Sequence, residues 1–397
     1  MRTGWPMEHY ALKYMGSKAL LLRRGLGELI TRESQKSNRF VDLFTGAAHV
    51  AHFAATNTLL PIIALDLQRY AAVLAGAVVE RTKQKDSSQL EANWLQVAAR
   101  NAKRSAAWKL AERLPQRSSA FDTVLEAREF SESHRSEGSI LRAYGGYYFS
   151  PTQAIILDHM LAGLPARGHL RTICLATTVC VASRCAAAPG HTAQPFRPSQ
   201  KGGFYIMEAW NRNPITYAIQ YLQMLCRLHA NQKGQALVGD AVSFSNNLNS
   251  NDLVFVDPPY SDVQYSRFYH VLETIAAGHC GGISGTGRYP PREERPQSDF
   301  STRTKSFKAI ENLLINLKNV GATVILTFPA GMSSNGISGA DLRKAASQYF
   351  SVRGWVVNGS FSTLGGNNSH REPKQKSEEL IMLLKPKNCA RSRVRTL

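Results

Sequence analysis

Two hydrophobic rhythms alternate along this chain. Short apolar runs end on acids, and stretches with apolar residues at helical spacing follow them. Leu22, Leu26, Leu29 and Ile30 open the chain at helical spacing, with Ser17 as the expected N-cap and Lys18 in the first turn. Arg39-Phe40-Val41-Asp42-Leu43-Phe44 predicts a strand, and Thr45-Gly46-Ala47-Ala48-His49-Val50-Ala51 after it reads as helical. A further strand is expected over residues 61–65, ending at Asp66.

The rhythm is then lost until about residue 231 and resumes with a strand at 235–238, ending on Gly239-Asp240. Leu253-Val254-Phe255-Val256 predicts a buried strand that runs straight into Asp257-Pro258-Pro259-Tyr260. Tyr265, Phe268, Tyr269 and Leu272 mark a helix beside it. Helix 307–317, strand 323–328, helix 340–349 and strands 353–358 and 380–384 complete the series. No helix separates the last two strands, so they are expected to form an antiparallel pair joined by the polar segment 365–376.

The interruption has its own character. Residues 81–143 are polar and helix-prone, with charges of both signs. Tyr144-Gly145-Gly146-Tyr147-Tyr148-Phe149-Ser150-Pro151 leads into helical spacing from Thr152, and 171–188 gives a second apolar helix. A loop is expected from Pro189 through Arg197 and Lys201 to Gly202-Gly203. Asn213-Pro214 then opens a helix to about Leu228. The sequence therefore predicts an α/β frame from 1–80 and 232–387, an inserted mainly helical domain over 81–231, and a basic tail at 388–397.

Composition adds a partner. The chain has 397 residues, enough for two domains, and 43% are hydrophobic, enough for a core. The 48 Lys and Arg outnumber 29 Asp and Glu, giving +19, which points to a polyanion such as nucleic acid. A membrane-surface role lacks the basic amphipathic helix it needs. The six cysteines form no C-x-x-C pair, so neither zinc nor a disulfide framework is indicated. No secretory signal is evident, and the apolar stretch 173–188 is too short to span a bilayer. These features together predict a cytoplasmic protein.

The chemistry concentrates at strand ends. Neither Pro258 nor Pro259 has an N–H, so the strand stops and presents the Asp257 carboxylate and a backbone carbonyl in fixed extended geometry. An acid, a rigid carbonyl and the Tyr260 ring suit a planar amine such as a nucleobase. Gly46 lies in a strand-turn-helix, where backbone approaches a nucleotide-like ligand, and Asp66 follows it by 20 residues, the spacing of an acid that binds ribose hydroxyls. A ligand carboxylate near Lys18 would explain a cation in a first helical turn. The long loop 281–305 carries Arg288, Arg292, Arg295 and Arg303, and with Arg197 and Lys201 it offers contacts to phosphates.

Lys13-Tyr14-Met15-Gly16-Ser17-Lys18, then Phe40-Val41-Asp42-Leu43-Phe44-Thr45-Gly46, then Asp66, a large insertion, and Asp257-Pro258-Pro259-Tyr260 resemble the Dam-like, alpha-group adenine-N6 DNA methyltransferases. The resemblance covers about 10–80 and 232–385, and departs from the family pattern at Ala48, where many relatives carry glycine. It implies a Rossmann-like class I methyltransferase sheet, mostly parallel with an antiparallel terminal strand, and a target-recognition role for the insertion. It implies S-adenosylmethionine as methyl donor, with Tyr14, Gly16 and Lys18 toward its methionine end, Asp42, Phe44 and Gly46 against it, Asp66 on its ribose and Asp240 at its adenine. Asp257, Pro258, Pro259 and Tyr260 become the catalytic residues acting on an adenine flipped out of double-stranded DNA. A bacterial or phage cytoplasm, a restriction–modification or defence setting and a cognate restriction endonuclease fit that family. Methylation of cytosine N4 or of RNA uses the same tetrapeptide logic, and a nucleic-acid-binding protein without catalysis is the reading from another class.

Overall fold

The computed structural model describes residues 18–114, 119–362 and 374–387. Tyr14, Gly16, Ser17 and the basic tail lie outside the described residues. Seven strands form one sheet: β1 (Arg39–Asp42), β2 (Ile62–Asp66), β3 (Gln235–Val238), β4 (Asp252–Val256), β5 (Thr323–Pro329), β6 (Phe350–Ser362) and β7 (Lys374–Pro386), in the order β3-β2-β1-β4-β5-β7-β6. The first five run parallel, and β7 lies antiparallel between β5 and β6. The expected frame and its antiparallel final pair are present. The pair is longer than its apolar core: β7 begins inside the segment expected to be a connector. Backbone ladders between antiparallel neighbours continue where the side chains have turned polar.

Both faces of the sheet are covered, which is why β4 is apolar at consecutive positions rather than alternate ones. Leu253 and Phe255 enter one core, and Val254 and Val256 the other. Each such fully buried side chain contributes about 1.5–3 kcal/mol. At the opposite end of β4, Asp252 takes a two-pronged pair from Arg39 on β1, at 2.9 and 2.6 Å.

Helices Gly27–Ser34, His49–Asn57 and Arg69–Val79 cover the first face. The spacing predicts one continuous helix through Leu22, Leu26, Leu29 and Ile30, but the first of these helices is broken from its N-terminal turn. Arg24 (φ −109°, ψ 39°) and Gly25 (φ 105°) break it, a kink that glycine permits at little cost. Helices Ser306–Val320 and Gly339–Tyr349 cover the second face.

Among the described residues the segment 81–231 is helical; most of its apolar side chains join the core on the first face, and Val124, Ala187, Ile206 and Ala209 form a small cluster of their own. Helix Gly168–Cys185 packs on Arg69–Val79 and on Pro214–Arg227. One apolar cluster runs from Leu26 and Tyr70 through Trp94, Tyr144 and Ile173. Arg81, where the chain leaves the frame, is buried and donates to Ala77 O (3.0 Å), Lys83 O (2.6 Å), and Leu225 O and Leu228 O, where the chain returns.

One expectation here is corrected. Lys201, Gly202 and Gly203 are not loop but the start of helix Gln200–Trp210, capped by Ser199, whose Oγ accepts the Gly202 N–H at 3.1 Å. The glycines are there for space: a Cβ on Gly202 would lie 2.0 Å from Arg197 O, and one on Gly203 2.6 Å from Ala120 Cβ. Among the described residues no helix is long and apolar enough to cross a membrane.

From β1 the sheet proceeds through β2 and β3 on one side, and from β4 through β5 on the other. The strand order reverses between β1 and β4, so a crevice opens beyond their carboxyl ends.

Candidate active site

That crevice is an open cleft enclosing about 940 Å³, part of it continuous with solvent, which is room for a nucleotide-sized molecule. Asp42 and Gly46 line it from β1, Asp66 from β2, Asp240 from β3, and Asp257 to Tyr260 from β4. The sequence-predicted acids thus converge because each terminates a strand of one parallel sheet.

The loop after β1 is tightly wound. Gly46 (φ 51°) and Ala48 (φ 62°) are both left-handed. Ala48 therefore adopts the conformation that its side chain disfavours, and its methyl is fully buried. Asp66 Oδ2 accepts the Gly46 N–H at 2.8 Å, and its Oδ1 accepts the Gln68 N–H at 2.9 Å. Each oxygen keeps a lone pair. Burial pushes the Asp66 carboxyl up to about 6, against the pull of those two N–H groups. Asp240 caps helix Ala241–Ser245 through Oδ1, at 2.8 Å from Ser243 N, and is exposed. Phe44 meets Phe300 edge to face at 5.0 Å across the mouth.

Asp42 is buried, and its carboxyl is held well above the ordinary range by burial and by the negative Asp257 and Asp66. Its Oδ1 accepts the Phe44 N–H at 3.3 Å, while Oδ2 has no partner among the described residues. Gln68 Oε1 and Ser266 Oγ, also in the cleft wall, are buried and unpartnered among the described residues. Buried polar atoms are seldom left unpaired. Three in one cleft mark where a ligand's polar groups belong.

Asp257 is fixed on one side only. Its Oδ1 accepts from Thr327 Oγ1 on β5 at 2.8 Å and lies 3.0 Å from the Lys18 ammonium. Among the described residues, neither Asp257 Oδ2 nor the Pro258 carbonyl accepts a hydrogen bond. The turn beyond is pinned by buried Asn335, which donates to Pro259 O (3.1 Å) and Phe300 O (3.2 Å) through Nδ2 and to Tyr260 O (3.3 Å) through its backbone N–H. Tyr260 stands edge-on to Tyr265 and Phe328, both at 6.4 Å between centroids.

Lys18 lines the cleft, but it is not the solvated cation that its sequence position also allows. It immediately precedes helix Ala19–Leu21 and is buried, and the carboxylates beside it are the protein's own, Asp257 and Glu379 on β7 at 3.4 Å. Burial alone would lower the ammonium's pKa, but the two acids raise it above the ordinary lysine range. Burial likewise raises the Asp257 carboxyl, and Lys18 pulls it back.

The basic candidates divide. Arg197, Lys201 and Arg292 are exposed. Arg295 lies over the Tyr289 ring at 5.4 Å. Arg288 does not reach outward: its guanidinium donates to Ala143 O (2.7 Å) and Arg142 O (3.0 Å) and stacks on Tyr147 at 4.1 Å. It braces the 281–305 loop against the helical segment.

Thr327, Asn335, Gln68 and Glu379 join the site without having been singled out. Thr327 had a signal, a lone hydroxyl near the end of an apolar strand. Glu379 had none, since its partner is 361 positions away.

A family model for the D12 class of N6 adenine-specific DNA methyltransferases matches residues 14–148 and 197–301, from before Lys18 to past Asp257-Pro258-Pro259-Tyr260. Modification methylase LlaI of Lactococcus lactis subsp. lactis is 40% identical over 74 residues, 18% of this chain. The match covers 11% of that relative's length. Matched over more than half its length, and across both strand ends that build the cleft, the chain belongs to the D12 class of N6 adenine-specific DNA methyltransferases.

Proposed function

We propose that the protein methylates the exocyclic N6 amine of an adenine flipped out of double-stranded DNA, with S-adenosylmethionine as donor. The observation that carries this is Asp257: Thr327 and Lys18 hold Oδ1, and Oδ2 and the adjacent Pro258 carbonyl remain as two acceptors. An aromatic amine has two N–H bonds and a lone pair delocalised into its ring. Accepting both N–H bonds draws the nitrogen toward tetrahedral geometry and frees the lone pair for attack. This is positioning plus electrostatic stabilisation, with no covalent enzyme intermediate. Asp257 Oδ2 is then the first acceptor for the proton that the nitrogen sheds. Tyr260 supplies a face against which the base stacks once it has left the duplex.

The residues present fit the donor, whose sulfonium supplies an electrophilic methyl group when bound. Asp66 has lone pairs left for ribose hydroxyls, and Gly46 lets backbone come close. Asp240, whose Oδ1 caps the following helix, would hold the donor's adenine amine through Oδ2. The unpartnered Asp42 Oδ2 and Gln68 Oε1 call for N–H donors, which an amino-acid ammonium has. With Lys18 taken up by Asp257, that orphaned pair is the better seat for the amino-acid end. Arg197, Lys201, Arg292 and Arg295 contact DNA phosphates, and the helical segment 81–231 carries target recognition. A modification enzyme's name on the similar stretch favours a restriction–modification setting with a cognate endonuclease.

The test is methyl transfer to DNA with labelled donor, followed by nucleoside analysis. Label should appear as N6-methyladenine. Asp257→Asn should lower the rate about a thousandfold while DNA binding persists. Label in N4-methylcytosine, or an unaffected Asp257→Asn, would overturn the reading.

A further inference from the structure

The Lys18 ammonium bridges two carboxylates, Asp257 Oδ1 at 3.0 Å and Glu379 Oε2 at 3.4 Å, and all three side chains are largely buried, at 6% exposure for Lys18 and 16% for each acid. Sheet register explains the meeting. Val256 pairs with Leu326, so Asp257 stands beside Thr327, and Pro329, two residues on, is opposite Glu379. Glu379 lies outside the residues that the family model matches.

We propose that Glu379 is a positioning residue of the transfer site, seating the Lys18 ammonium on Asp257 Oδ1 and leaving one uncompensated negative charge beside the attacking amine. It touches no substrate. Lys18 and Asp257 alone would make a neutral pair, turned inward and a weak partner for a nitrogen that gains positive charge as its new bond forms. Glu379 shares the ammonium and restores the negative charge that stabilises that nitrogen. All three side chains are largely buried, so their charges are screened less than they would be in bulk water. Besides Glu379, the charged or titratable groups facing Asp257 are Lys18, Asp42 and Tyr260, and only Lys18 is cationic.

Glu379→Gln keeps the shape and an oxygen acceptor for Lys18 and removes only the charge. In single-turnover methylation it should fall about tenfold or more in rate, with affinities for DNA and donor within about twofold of wild type. Glu379→Asp, which keeps the charge, should recover most of the rate. A second readout needs no turnover. In protein labelled with ¹³C-carboxyl aspartate, the Asp257 resonance, assigned through Asp257→Asn, should titrate at lower pH in Glu379→Gln, because a neighbouring anion has been removed. An unchanged rate together with an unmoved Asp257 midpoint would overturn the proposal. So would a rate loss that only follows weakened binding or melting, with the midpoint unmoved. The rate measurement rests on the methyl-transfer reading. Should the wild-type protein methylate no DNA, that reading fails, and the Asp257 midpoint alone decides the role of Glu379.

Discussion

At Asp66, two properties of one carboxylate pull against each other. Burial raises its pKa to about 6 from the ordinary 3.8, so the folded state favours the protonated form. The stabilisation from that proton is complete below about 4 and is lost as pH rises through about 6. Ligand binding has the opposite sign, because only the ionised form offers every lone pair to ribose hydroxyls. Calorimetry should show donor affinity flat above about pH 7 and falling below about 6, and Asp66→Ala should bind weakly at every pH. An affinity in the wild-type protein that is unaffected across this range would remove Asp66 from the donor site. Residues such as Asp66, Gly46 and Asp257 were legible in the sequence because their chemistry lies within a few positions of a recognisable strand end. The seat of Lys18 was not, since it depends on β7 folding back beside β5. Ala48 was legible as a departure and is seen in the left-handed conformation, with a strain of about 1–2 kcal/mol opposed by a buried methyl.

At the scale of elements, apolar runs located the strands well because burial on both faces leaves a continuous signal. Helix Gln200–Trp210 was hidden because glycine has the same appearance in a turn and in a close helix contact. The junction between frame and insertion was equally silent in sequence. Arg81 closes it by donating to carbonyls on both the outgoing and returning chain. Arg81→Met fills similar volume but strands several buried carbonyls. It should destabilise the fold by roughly 3 kcal/mol or more in denaturant titration, as each unsatisfied group costs about 1–3 kcal/mol. A loss below about 1 kcal/mol would show that the junction holds without it.

The whole molecule carries +19, and its cleft is walled by acids. The positive charge therefore lies elsewhere on the molecule, and under the proposed function it draws DNA phosphates. Binding to nonspecific DNA should weaken on the order of a thousandfold between about 50 and 200 mM salt, measured by anisotropy. Removing Arg197 and Lys201 together should flatten that slope, whereas Arg288→Met should disturb the loop without changing it. A salt-independent affinity would mean that the net charge does not drive binding. Under the proposed function two tasks are separated: the net positive charge attracts a polymer, and the acid-lined cleft receives a single base.

The bridge from Lys18 to Glu379 also sets a schedule. In synthesis Lys18 comes first of the three, Asp257 follows 239 residues later, and Glu379 a further 122. A growing polypeptide can thus lay down β1 to β5 and shape the crevice long before its central carboxylate has its full electrical surroundings. On the proposed role of Glu379, the bridge is complete only when β7 slots between β5 and β6, so a chain cut before that strand should still shape the crevice but transfer methyl groups more slowly.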